Sequence, residues 1–133
     1  MKGLRVLVAE DHEDLRALLV ALLCSDFQVV GAVDDGEQLV EAAIFLKPDI
    51  IISDVGMPWI DSFSAKNELR SRGIHAAFVF IATIDFDGLF SNTMDEEPVG
   101  WVHRYDLFNE LKAAVHTVAS GNGYISQSFG LGR

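Results

Sequence analysis

Disulfides, multi-cysteine metal sites and membrane spans are excluded first, because this chain of 133 residues has one cysteine and no long apolar run. A lone Cys24 can form neither an internal bridge nor a thiolate cluster, and within its apolar stretch it reads as a small buried hydrophobe. The longest apolar stretches, Leu15 to Cys24 and Ala76 to Ala82, are too short or too interrupted to cross a bilayer. The opening Met1-Lys2-Gly3-Leu4 lacks the apolar core of a secretion signal. No membrane partner and a cytoplasmic location are therefore expected. Basic charge is also scarce: ten Lys and Arg against twenty Asp and Glu leave a formal charge of −10. Such a surface repels phosphate backbones, which argues against direct nucleic-acid binding.

What is present suffices for one domain with a real core. Half of the residues are hydrophobic, including nine Phe and two Trp, so composition excludes disorder. Leu4 to Ala9 is an apolar run that stops at Glu10-Asp11, the pattern of a buried parallel strand. Leu15, Leu18, Leu19, Leu22 and Leu23 then recur with helical spacing, with Asp14 as a cap or first-turn residue. Gln28 to Val33 reads as a second strand, and Asp35-Gly36 as a turn. A helix with Leu39, Val40, Ala43 and Ile44 inward follows, ending near Lys47-Pro48. Asp49 to Ser53 is a third strand ending at Asp54, with a weaker helix over Ser62 to Arg72. Ala77 to Ala82 and Val99 to Val102 are further strands, and Asp106 opens a last helix that Gly121 stops. Asp85 to Pro98 supports only a short or irregular helix. Alternating strands and helices imply a parallel sheet covered on both faces.

In such a sheet, ligands sit beyond the carboxyl ends of the strands. Glu10, Asp11, Asp54, Thr83 and His103-Arg104 fall at those ends. Converging carboxylates repel one another unless a cation or proton compensates, and all-oxygen ligands select a hard cation, with Mg2+ the best match. Thr83 and Arg104 suit the oxygens of a phosphoryl group, and Asp54 can act as a nucleophile. Each residue alone has a plainer explanation. Glu10-Asp11 favours a helix N-terminus, a lone Asp after a strand is commonly a cap, and an Arg is commonly a surface residue. Their occurrence at the same end of successive strands is what favours a site.

Four segments carry a resemblance: Leu4 to His12, Val33 to Glu37, Lys47 to Asp54 with Met57-Pro58, and Gly100 to Arg104. Over residues 4–126 the chain resembles a receiver domain of a two-component response regulator, most like the NarL/FixJ subfamily with a helix-turn-helix output. The resemblance implies a flavodoxin-like (CheY-like) α/β fold, a doubly wound five-stranded parallel sheet of order 2-1-3-4-5, with an irregular fourth helix. It implies Asp54 as phosphoacceptor and Mg2+ held by Glu10, Asp11, Asp54 and the carbonyl of Gly56. Thr83 matches the switch hydroxyl, and Trp101 the aromatic that swings inward behind it. It implies a sensor histidine kinase as donor, with phosphorylation altering dimerisation or an output domain. Any DNA contact would come only through such an output domain.

Three positions depart from the family pattern: Arg104 stands in place of Lys, Ile84 in place of a small residue, and Ser62 in place of a common Gly. Arginine keeps the charge, but its planar fork reaches differently. Residues 1–121 are expected to form the receiver domain, and 122–133 a tail or the start of a linker to an output domain outside the chain. Two rivals stay open. One is a receiver-like module that binds protein without phosphorylation. The other, a metal-dependent phosphatase or nuclease, typically needs a second Asp two residues after the third-strand Asp, where this chain has Gly56. Self-modification rather than turnover of an external substrate is expected, so the chain is not expected to be an enzyme.

Overall fold

The computed structural model describes residues 3–55, 61–83 and 97–130. Along the chain run β1 (Arg5–Ala9), α1 (Glu13–Leu23), β2 (Gln28–Val33), α2 (Gly36–Leu46), β3 (Ile50–Asp54), α3 (Ser62–Ser71), β4 (Ala77–Ala82), β5 (Gly100–His103), α4 (Leu107–Ala119) and β6 (Tyr124–Ile125). All strand pairings are parallel, in the order β2-β1-β3-β4-β5-β6. The expected order of five strands is present, and a sixth, two-residue strand extends it. The expected irregular helix over Asp85 to Pro98 lies largely outside the described residues.

Strand alternation sends side chains to two cores. Leu7, Ile51, Phe78, Phe80 and Trp101 meet α2 and α3 through Leu39, Ala43, Ala65 and Leu69. Val6, Val8, Ile50, Ile52, Val79 and Ile81 meet α1 and α4 through Leu19, Leu23, Leu111 and Val115. Helix starts follow local chemistry: Asp35 Oδ1 accepts from the Gln38 N–H at 2.8 Å, and Asp61 Oδ1 from the Ser64 N–H at 2.8 Å. The cap of α1 is His12, whose side chain accepts from the Leu15 N–H, while Asp14 lies in the first turn. Among the described residues no helix is long and apolar enough to cross a membrane.

Two expected core positions face outward. Cys24 is exposed, because it sits one residue past buried Leu23 as the C-cap of α1, turned away by a helical step. Ile44 is 38% exposed; the inner face of α2 is set by Leu39, Val40 and Ala43, and Ile44 is likewise one step round.

Residues 124–129 pack on the sheet. The Tyr124 N–H donates to the Val99 carbonyl at 3.1 Å, and the Ser126 N–H to the Trp101 carbonyl at 2.8 Å. Buried Ser126 Oγ accepts from the His103 N–H at 2.8 Å. Gln127 and Ser128 donate backbone N–H groups to Glu110 and Asp106, and Phe129 meets the His103 ring edge-on at 5.1 Å. His103, the last residue of β5, is therefore buried against this segment.

Candidate functional site

Four parallel strands, β1, β3, β4 and β5, deliver their last residues to one rim, and chemistry gathers there. Glu10 follows β1 and is fully buried. Its Oε2 accepts from the His12 N–H at 3.0 Å, and the Arg16 guanidinium donates to its backbone carbonyl at 3.0 Å. Asp11 beside it is exposed, and Asp54 ends β3 buried. One carboxylate oxygen from each of Glu10, Asp11 and Asp54 lies within 4.8 Å of the others. The expected trio thus converges.

Burial in this company has a direct electrostatic result. Desolvation is the main force pushing the Glu10 carboxyl up to about 8. The Asp11 side chain and the Asp54 charge push the same way, while the His12 N–H and Arg104 oppose them. Glu10 Oε1 is buried with no hydrogen-bond partner among the described residues. A buried, unsatisfied carboxylate oxygen is costly and calls for a proton or cation.

The donor set fits a hard divalent cation. The three oxygens lie within 4.8 Å of one another, a spread that small side-chain movements would close onto one such ion. Few protein carboxylates with open positions suit Mg2+, which retains several waters. Gly56, the fourth expected ligand, lies outside the described residues, as does Ile84.

Arg104 follows β5, and its Nη2 lies 3.1 Å from Asp54 Oδ2, with the two side chains 43% and 4% exposed. It takes one oxygen of Asp54; among the described residues no basic side chain forms an ion pair with Glu10 or Asp11. Thr83 lies just past β4, exposed, and its hydroxyl has no hydrogen-bond partner among the described residues. Trp101 is fully buried, its ring 5.0 Å from that of Phe80 and 6.0 Å from that of Phe63. No described contact joins Thr83 to Asp54.

Sequence reasoning missed the polar groups behind Asp54. The Ser62 hydroxyl, known only as a departure from a common Gly, donates to the Asp54 carbonyl at 2.6 Å. It also meets Ser53 Oγ at 2.7 Å, and both serines are fully buried. A serine at the end of an otherwise apolar strand was the one local signal. His12 as the cap of α1 was similarly missed, although Glu13-Asp14 directly after it suit a helix's first turn.

The sequence profile of the response regulator receiver domain matches residues 6–121. The transcriptional regulatory protein PdtaR of Mycobacterium tuberculosis is 39% identical over 117 residues, covering 87% of this chain and 57% of that protein. The response regulator GacA of Pseudomonas aeruginosa is 30% identical over 125 residues, covering 92% of this chain and 58% of that protein. The chain thus spans just over half the length of these relatives. Among solved structures, the signal receiver domain of a NarL response regulator from Mycobacterium tuberculosis superimposes with a TM-score of 0.82 at 25% identity, covering 92% of this chain and all of that one.

Proposed function

Since the chain belongs to the response regulator receiver domain family, as the match over residues 6–121 shows, we propose that Asp54 is its phosphoacceptor in two-component signalling. A carboxylate oxygen of Asp54 attacks phosphorus on the phosphohistidine of a sensor kinase. The N–P bond breaks with its electron pair leaving on the imidazole, and an acyl phosphate forms. Bound Mg2+ supplies charge neutralisation for the transferred oxygens. Glu10, Asp11 and Asp54 would hold it, with the Gly56 carbonyl.

The chain's own groups then have distinct tasks. Glu10, whose burial holds its proton up to about 8, would release that proton to a cation bound between it, Asp11 and Asp54. Arg104 already reaches Asp54 Oδ2 and is placed to accompany a phosphoryl oxygen there. Thr83 supplies a hydroxyl without a described partner, able to move toward the new charge. Trp101, three residues before Arg104 on the same strand, couples that movement to β5 and α4 as a shift between two states. The outcome is a change in dimerisation or in an output domain outside the chain, through which alone DNA would be reached.

The single observation carrying this proposal is the meeting of three carboxylates within 4.8 Å of one another, one of them the buried Glu10, whose Oε1 has no hydrogen-bond partner among the described residues. The test is labelling with acetyl phosphate, with and without Mg2+, alongside Trp fluorescence. Wild type should label only with Mg2+, and Asp54→Asn should not label at all. One observation favours the module that binds without phosphorylation: Arg104 already provides Asp54 with a cation. A wild-type chain that neither labels nor changes fluorescence with Mg2+ selects that alternative.

A further inference from the structure

We propose that Ser62, supported by Ser53, is a positioning residue that sets the backbone of Asp54 and thereby the reach of its carboxylate toward the acidic cluster. The inference rests on Asp54 being the phosphoacceptor and adds a residue to that site.

A serine hydroxyl has a single proton, and this fixes the direction of the bonds. Ser62 Oγ lies 2.6 Å from the Asp54 carbonyl, which can only accept, so the Ser62 proton goes there. In the 2.7 Å contact between the two hydroxyls, Ser53 must then be the donor. The alternative bond from Ser53 Oγ to the Asp54 carbonyl is longer, at 3.4 Å. The result is a directed chain, Ser53 to Ser62 to the Asp54 carbonyl, wholly buried, in which each bond strengthens the next.

Its position in the fold gives it leverage. Ser53 lies on β3, and its alternation sends it toward the α2 and α3 face. Ser62 is the first residue of α3, whose start is independently held by the Asp61 cap. The bond joins the last residue of β3 to the first turn of α3 across eight positions of sequence. The Asp54 carbonyl carbon and the Asp54 side chain share one Cα, so a hydrogen bond that anchors the carbonyl also anchors the root of the carboxylate. Fixing that carbonyl restrains displacement of the strand end. Glycine at position 62 has no hydroxyl and could not do this.

Three variants test the assignment: Ser62→Ala, Ser62→Thr and Ser53→Ala. Mg2+ dissociation constants come from Trp fluorescence, labelling rates from acetyl phosphate at limiting and saturating Mg2+, and unfolding midpoints without metal. Ser62→Ala should weaken Mg2+ binding about tenfold, as loss of a group supporting a ligand typically does. Its labelling rate at saturating Mg2+ should also stay below wild type, because the nucleophile itself is misplaced. Ser62→Thr keeps the hydroxyl and should restore both, while Ser53→Ala should fall between. Ser62→Ala proteins that are less stable yet keep wild-type Mg2+ affinity and saturated rate would show a merely structural serine and overturn the inference. Failure of wild type to label would instead strike the phosphoacceptor assignment, and the metal-binding comparison would still decide whether Ser62 positions Asp54.

Discussion

Arg104 and a divalent cation would share Asp54, and the guanidinium holds one of its oxygens at 3.1 Å. The pair is partly exposed, so water screens it, and a contribution under about 1 kcal/mol is its proper scale. Removing the competitor should therefore favour the ion modestly. Arg104→Ala is expected to tighten Mg2+ binding by about two- to fivefold in a fluorescence titration, the equivalent of that energy. Weaker binding in Arg104→Ala would mean that the arginine orients Asp54 for the cation instead of competing with it. Lysine would act as a point charge on a flexible stem, whereas arginine presents a planar fork. That difference makes the residue at 104 a determinant of how the rim is filled.

At the scale of elements, β5 joins the rim to the segment that follows α4. It carries Trp101 and leads into Arg104, and β6 covers its outer edge. β6 and the segment after it are held to the start of α4 as well: Asp106, its N-cap, accepts from Ser128, and Glu110 from the Tyr124 hydroxyl at 2.7 Å. Burial pushes the Asp106 carboxyl up, but hydrogen bonds from Ser128 and Ser126 outweigh it and hold the group below its ordinary value. Ser126 is the central fastening, accepting the His103 N–H in a buried setting. Ser126→Ala leaves that donor unsatisfied and should cost about 1–3 kcal/mol in urea unfolding. Faster hydrogen exchange should be confined to the amides of His103, Tyr124 and Ser126. An unchanged midpoint and exchange pattern would show that the segment is only loosely docked.

The whole molecule pays for its crowded rim when no cation is bound. Glu10 has its carboxyl raised from 4.5 to about 8 in the folded state, so between those values the folded chain keeps a proton that the unfolded chain has lost. Metal-free stability should accordingly fall as pH rises from about 4.5 to about 8 and level off above. Glu10→Gln should flatten this slope in thermal unfolding with a chelator while weakening Mg2+ binding; an unaltered slope would place the titration elsewhere. The alternation of strands and helices, both cores and the convergence of Glu10, Asp11 and Asp54 were legible in the residues, because they follow from local periodicity and from parallel strands ending at one rim. The strand order came only with the family resemblance. Sequence pattern did less well where one helical step separates core from solvent, as at Cys24 and Ile44. Only tertiary structure decided the bonds between distant positions: Ser62 with Asp54 across 8 residues, His103 with Ser126 across 23, and Arg104 with Asp54 across 50. Those pairings depend on how loops close and which rotamers the packed chain permits, and no residue's immediate neighbours in sequence encode either.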